Sequence, residues 1–186
     1  MREGRTSMWT LLRRWLRHVW MNARGARQAL PAAVLERLRQ KVAASEARHT
    51  GQLRVCVEAA LPGADLWRHL LHRRALAQVV RGRALTVFSL LRVWDTERNN
   101  GVLIYLLLAE RAIEIVADRA LARVVPQAQW DAMLARLATA LQAGQVEDGL
   151  GAALAEVSAL LEQHFPRSGP GPAGVDNELP DEPALL

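Results

Sequence analysis

From Leu53 to Val57 and from Val102 to Leu108 the chain is almost continuously apolar and rich in β-branched side chains. The segments around these runs instead place apolar residues every three or four positions. The first pattern predicts strands buried on both faces, and the second predicts helices. Pro31 to His49 reads as the first helix of a domain, with proline at its first position, apolar residues at 34, 35, 38 and 42, and Thr50-Gly51 at its end. Gln52 to Leu61 is then a short strand closed by Pro62-Gly63. Leu66 to Val93 is helical, with Val80, Leu85, Phe88 and Leu91 along one side and Gly82 as a point of interruption. Gly101–Leu108 and Ile113–Ala117, joined by the short polar link 109–112, predict an antiparallel hairpin. Trp130 to Leu141 and Glu147 to Phe165 are two further amphipathic helices that meet around Gly144.

Strand, long helix and strand in series imply a crossover that leaves the first two strands parallel, with the third antiparallel beside the second. The predicted class is α/β: a three-layer α/β/α sandwich on a small mixed sheet, with core order β-α-β-β-α-α and an N-terminal amphipathic helix ahead of it. Leu53, Val55, Val57, Leu103, Tyr105, Leu107, Ile113 and Ile115 should be buried in that sheet.

Composition supports a globular core, because 51% of the residues are hydrophobic and 23% charged. Charge divides the chain into three. Residues 1–28 hold seven arginines and one glutamate, and the whole chain is only +5. A sequence pI near 10.8 therefore reflects a basic head on a nearly neutral domain, 29–166, followed by an acidic tail, 167–186. In the head, Trp9, Leu12, Trp15, Leu16, Val19 and Trp20 fall opposite Arg13, Arg14 and Arg17. Three arginines interrupt the apolar stretch a secretory signal would need, so the segment reads as an interfacial helix. Residues 8–21 then contact an anionic membrane surface or a protein partner, or fold back on their own domain. Nucleic acid is disfavoured because the aromatics lie opposite the arginines. No apolar run approaches the roughly 20 residues of a membrane span. The expected location is cytoplasmic, peripheral to the inner membrane, with no secretory signal peptide and no transmembrane segment. The tail, rich in Pro, Gly and acid, is expected to be mobile, with docking of Leu179 in a surface groove as the rival outcome.

Candidate chemistry is sparse. Cys56 is single and lies in an apolar run, which predicts a buried, inert thiol. His18, His49, His69, His72 and His164 are scattered, and no phosphate loop, dinucleotide fingerprint or nucleophile elbow occurs. The predicted topology brings His49-Thr50, the loop Asp95–Asn100 and Asp118-Arg119 to one edge of the sheet. Asp95, Glu97 and Asp118 would there make an oxygen-rich group suited to Ca²⁺ or Mg²⁺. The alternative is turn chemistry: Asp95 or Thr96 caps a turn, Asn-Gly eases the chain into the strand, and Asp118 pairs with an arginine. Glu58, Asp65 and Glu110 mark the opposite edge, where open α/β sheets bind ligands, but without a phosphate-gripping loop.

The strings HTGQLRVCVE, WDTERNNGVLIYLLLAERAIEIVADRAL and DNELPDEP together resemble the TPM domain family over residues 31–183. That family includes a thylakoid-lumen acid phosphatase linked to photosystem II repair. The resemblance implies an α/β/α sandwich, and it implies either phosphatase activity with divalent-cation binding or a part in assembly or repair of membrane complexes. Two departures matter. The family's phosphatase-like members tend to place an aspartate just before the first helix, whereas this chain has no carboxylate there until Glu36. The turn after the third strand, commonly glycine-containing, here carries Ala120. The expected role is an accessory, non-catalytic binding module; the alternative is a metal-dependent acid phosphatase acting on phosphomonoesters.

Overall fold

The computed structural model describes residues 30–65, 75–167 and 177–186. The basic head lies outside these residues, as do Arg68, His69, His72, Arg73 and Arg74. Helix α1 (Ala32–Glu46) begins after Pro31, whose missing N–H would have been unpaired there anyway. Strand β1 (Gln52–Glu58) follows. Helix α2 (Leu76–Leu90) crosses to β2 (Gly101–Leu107), and one 3₁₀ turn (Leu108–Glu110) reverses the chain into β3 (Ala112–Ala117). Three helices complete the domain: α3 (Arg119–Val124), α4 (Gln127–Gln142) and α5 (Val146–His164).

β1 and β2 are parallel, with Leu53 opposite Val102 and Val57 opposite Leu106. β3 runs antiparallel to β2, with Ile104 opposite Ile115. Alternation along the strands divides the core in two. Leu53, Val55, Val57, Val102, Ile104, Leu106, Ile113 and Ile115 face α1, α4 and α5. Cys56, Leu103, Tyr105, Leu107 and Val116 face α2, meeting Val79, Val80, Ala84, Val87 and Phe88. These are the three layers expected, and each side chain expected to be buried in the sheet is 7% exposed or less. Gly101 is required at the start of β2. A Cβ there would stand 2.0 Å from the Val93 carbonyl oxygen, so any side chain would force the loop off the strand.

One expectation needs correction. Where it is described, the segment from Arg167 onward takes the rival outcome and is docked. Residues 177–186 lie along β1, and β4 (Ala184–Leu185) adds to it in parallel, giving the order β3-β2-β1-β4. Leu179 is buried in the α2-side core. Composition misjudged this segment because a tail need not bury its own surface when a neighbouring strand lends an edge and a hollow.

Candidate functional site

The three segments expected to share one edge of the sheet do so. The Asn100 amide donates to the Thr50 carbonyl (3.1 Å), the Asp118 N–H to the Gly101 carbonyl (2.8 Å), and the Ala120 N–H to the Asn99 carbonyl (3.0 Å). Thr96 Oγ1 accepts the Asn100 N–H at 3.2 Å, the side-chain turn its residue type favours. Asn99 takes a left-handed φ of 51° and accepts the Arg119 guanidinium on its side-chain oxygen at 2.7 Å. The tail adds a group that sequence reasoning did not assign here: a Glu178 carboxylate oxygen accepts the Glu97 N–H at 2.8 Å. The motif DNELPDEP was the available signal.

The three named carboxylates are placed differently. Asp95 is ion-paired with Arg92. Glu97 sits in the loop and donates its backbone to the tail. Asp118 is largely buried and caps α3, its Oδ1 accepting the Arg119 N–H at 2.7 Å. Among the described residues no three His, Cys, Asp or Glu side chains gather closely enough to hold a metal by themselves. Two oxygens on this edge nonetheless stand out: Asn100 Oδ1 and Asp118 Oδ2 are both buried without a hydrogen-bond donor. A buried acceptor left unpaired costs about 1–3 kcal/mol, so each calls for a proton donor, a water or a cation.

A serine and a histidine also touch on this side. Ser45 Oγ lies 2.7 Å from His49 Nε2, and the other ring nitrogen lies 3.0 Å from the Gly51 carbonyl oxygen. Ser45 continues to Ser158, which Arg48 and Glu162 also engage. Burial holds His49 down at about 4, so the ring stays neutral at physiological pH. His49 and Ser45 are 0% and 2% exposed, which leaves no room for a substrate; the network joins α1 to α5.

At the opposite edge Glu58 ends β1 as a sealed group. Arg83 grips it with both nitrogens (2.6 and 2.9 Å), and the Tyr105 hydroxyl donates to it at 2.6 Å. Burial, then the charge of Glu58, raises the Tyr105 phenol above its ordinary value. Cys56, beside them, is buried and its thiol is pushed up to about 12, chiefly by desolvation, as an inert core thiol requires.

The fold is an α/β/α sandwich whose starting edge gathers loop, strand and tail. A family model for the TPM domain matches residues 26–160, more than half of the sequence, and the chain belongs to that family. Among solved structures it is similar to the BA42 protein of the psychrophilic bacterium Bizionia argentinensis, with a TM-score of 0.67 and 23% identity over 84% of this chain and 95% of that one. At that identity the likeness concerns the fold. No curated protein matches the chain. Among the described residues no helix is long and apolar enough to cross a membrane.

Proposed function

We propose that this TPM-domain protein is an accessory, non-catalytic binding module that holds a divalent cation weakly at the starting edge of its sheet. The carrying observation is the pair of donor-less buried oxygens, Asn100 Oδ1 and Asp118 Oδ2. An all-oxygen donor set with one carboxylate suits Ca²⁺ or Mg²⁺ completed by water, and Asp95 and Glu97 in the adjoining loop are the candidate further ligands. The amphipathic division of residues 8–21 supports peripheral attachment to an anionic membrane through Trp9, Trp15 and Trp20 with Arg13, Arg14 and Arg17.

The test is NMR titration of the full chain with calcium and with magnesium at millimolar concentration. Shifts should concentrate at residues 95–100 and 118. Asp118→Asn, which keeps the helix cap but removes the charge, should weaken them tenfold or more. Shifts absent from that edge would defeat the cation reading. Cation-dependent hydrolysis of a phosphomonoester, lost in Asp118→Asn, would replace the accessory role with phosphatase activity. Binding of the full chain to anionic vesicles, lost in a Trp15→Ser/Trp20→Ser variant, tests the membrane part separately.

A further inference from the structure

β3 is the outer strand of the sheet on the side away from β4, and its free edge lies in a cleft. In the pairing with β2 the Asp118 N–H reaches the Gly101 carbonyl. Residues 112, 114 and 116 therefore turn their backbone groups toward β2, and residues 113, 115 and 117 turn theirs outward. Among the described residues one of these outward groups is engaged: the Ile115 carbonyl accepts Arg81 Nη1 of α2 at 2.7 Å. The same nitrogen donates to the Glu114 carboxylate at 3.2 Å.

The cleft beside this edge holds about 380 Å³ and runs between α2 and α4, a size within the range of ligand sites. Trp130 and Leu134 of α4 give it an apolar wall against Ile115 and Ala117. Two carboxylates line it, Glu114 and Asp131, against the single guanidinium of Arg81. Asp131 accepts the Gln127 amide at 2.8 Å and has no cation partner among the described residues. Glu114 is 16% exposed, and burial raises its carboxyl above its ordinary value, a cost that a further cation would offset. Outward strand N–H and carbonyl groups suit another strand, and the excess of acid suits a basic one. Arg81 is 46% exposed, so its bond to the edge is of small worth and the side chain can swing away.

We propose that the β3 edge is a docking site for an extended basic segment of a partner protein, which pairs with Ile113–Ala117 as a further strand, displaces Arg81 and sets cationic side chains against Glu114 and Asp131. Residues 113–117 offer about 14 Å of edge, enough for a short strand. Side chains alternate along such a strand. Those on the α2 face meet Glu114, and those on the α4 face meet Trp130, Leu134 and Asp131. While no segment is bound, Arg81 blunts the edge against chance pairing.

The test is NMR of the full chain with a peptide of about nine residues in which arginine alternates with valine. In the free chain the Ile115 N–H should exchange readily, while the Val116 N–H, bonded to β2, is protected. Added peptide should shift Ile113, Ile115 and Ala117 and slow exchange at Ile115 by about tenfold or more. Two control peptides should bind about tenfold more weakly: one with glutamate in place of arginine, and one N-methylated along its backbone, which keeps the charge but cannot donate to the edge. Glu114→Gln/Asp131→Asn should weaken binding of the arginine peptide about tenfold, and Arg81→Ala should tighten it up to about fivefold because its own guanidinium no longer competes. The inference is overturned if the arginine peptide leaves Ile115 unprotected, if either control peptide binds as well, if folded Glu114→Gln/Asp131→Asn binds like the parent, or if Arg81→Ala weakens binding. It is overturned equally if Ile115 is already protected without peptide. Protection that rises with protein concentration would give the edge to a second copy, and protection independent of concentration would give it to another segment of the same chain.

Discussion

Two buried glutamates lie at opposite ends of β1, and they are satisfied in opposite ways. Glu58 is 3% exposed and is met by a guanidinium fork and a phenol; Glu46 is 7% exposed and accepts the Leu53 backbone N–H. The same residue type at similar burial therefore forms an ion pair in one place and a hydrogen bond to the backbone in the other. What separates them is the neighbouring element. Glu58 faces α2, a packed helix that carries Arg83, while Glu46 faces the C-terminal segment, which brings acid. One end of the strand is locked by charge, and at the other burial raises the glutamate above its ordinary value.

The largest effect should come from removing the lock. Arg83→Ala leaves the Glu58 carboxylate buried with only Tyr105 for a partner, and breaking a buried pair from one side costs about 3–5 kcal/mol. Chemical denaturation at neutral pH measures it. If the variant loses less than about 1 kcal/mol, water reaches Glu58 and the two ends of β1 are not as different as their geometry indicates.

A smaller effect, of opposite sign, is expected at the other end. Glu46 ionises at about 8 in the folded chain and near 4.5 when unfolded. A carboxyl raised on folding contributes stability that is intact below 4.5 and is lost progressively up to about 8. Glu46→Gln keeps an acceptor for the Leu53 N–H and cannot ionise. It should match the parent near pH 4.5 and exceed it by on the order of 2 kcal/mol or more at pH 8.5, because each pH unit of that window removes at most about 1.36 kcal/mol from the parent. Equal melting temperatures for the two chains at pH 8.5 would remove Glu46 from the comparison.

How much of this was legible follows from the range of each interaction. The runs around Val55 and Ile104 announce buried strands because composition and period are local properties, and the parallel–antiparallel order follows from the helix between them. The convergence of Thr50, Asn100 and Asp118 was legible for the same reason, since topology alone places strand ends. The pairing of Glu58 with Arg83 was not, because no spacing rule links positions on two elements 25 residues apart. The short helix α3 escaped because its six residues carry little periodic signal; only Asp118, as its cap, marks its start. Docking of the tail stood only as the rival outcome, because its stability resides in Gln52, Arg54 and the core around Leu179, none of which the tail's own composition reports.

The finest test of the locked end is Tyr105→Phe. The tyrosine is wholly buried between Cys56, Leu103 and Leu107 on the α2 side of β2, so its ring packs as phenylalanine would, and only the hydroxyl is at issue. That hydroxyl donates to Glu58 at 2.6 Å, while the two shortest Arg83 bonds to the same carboxylate stay in place. Loss of a donor to a charged group that keeps its main partner costs about 1–2 kcal/mol, less than loss of the arginine because no charge is stranded. Arg83→Ala/Tyr105→Phe together should cost less than the sum of the two, since the phenol has less carboxylate to serve once Glu58 is no longer held in place. Additive losses would mean that the hydroxyl and the guanidinium act on Glu58 independently, and the locked end of β1 would then be two separate contacts, not one network.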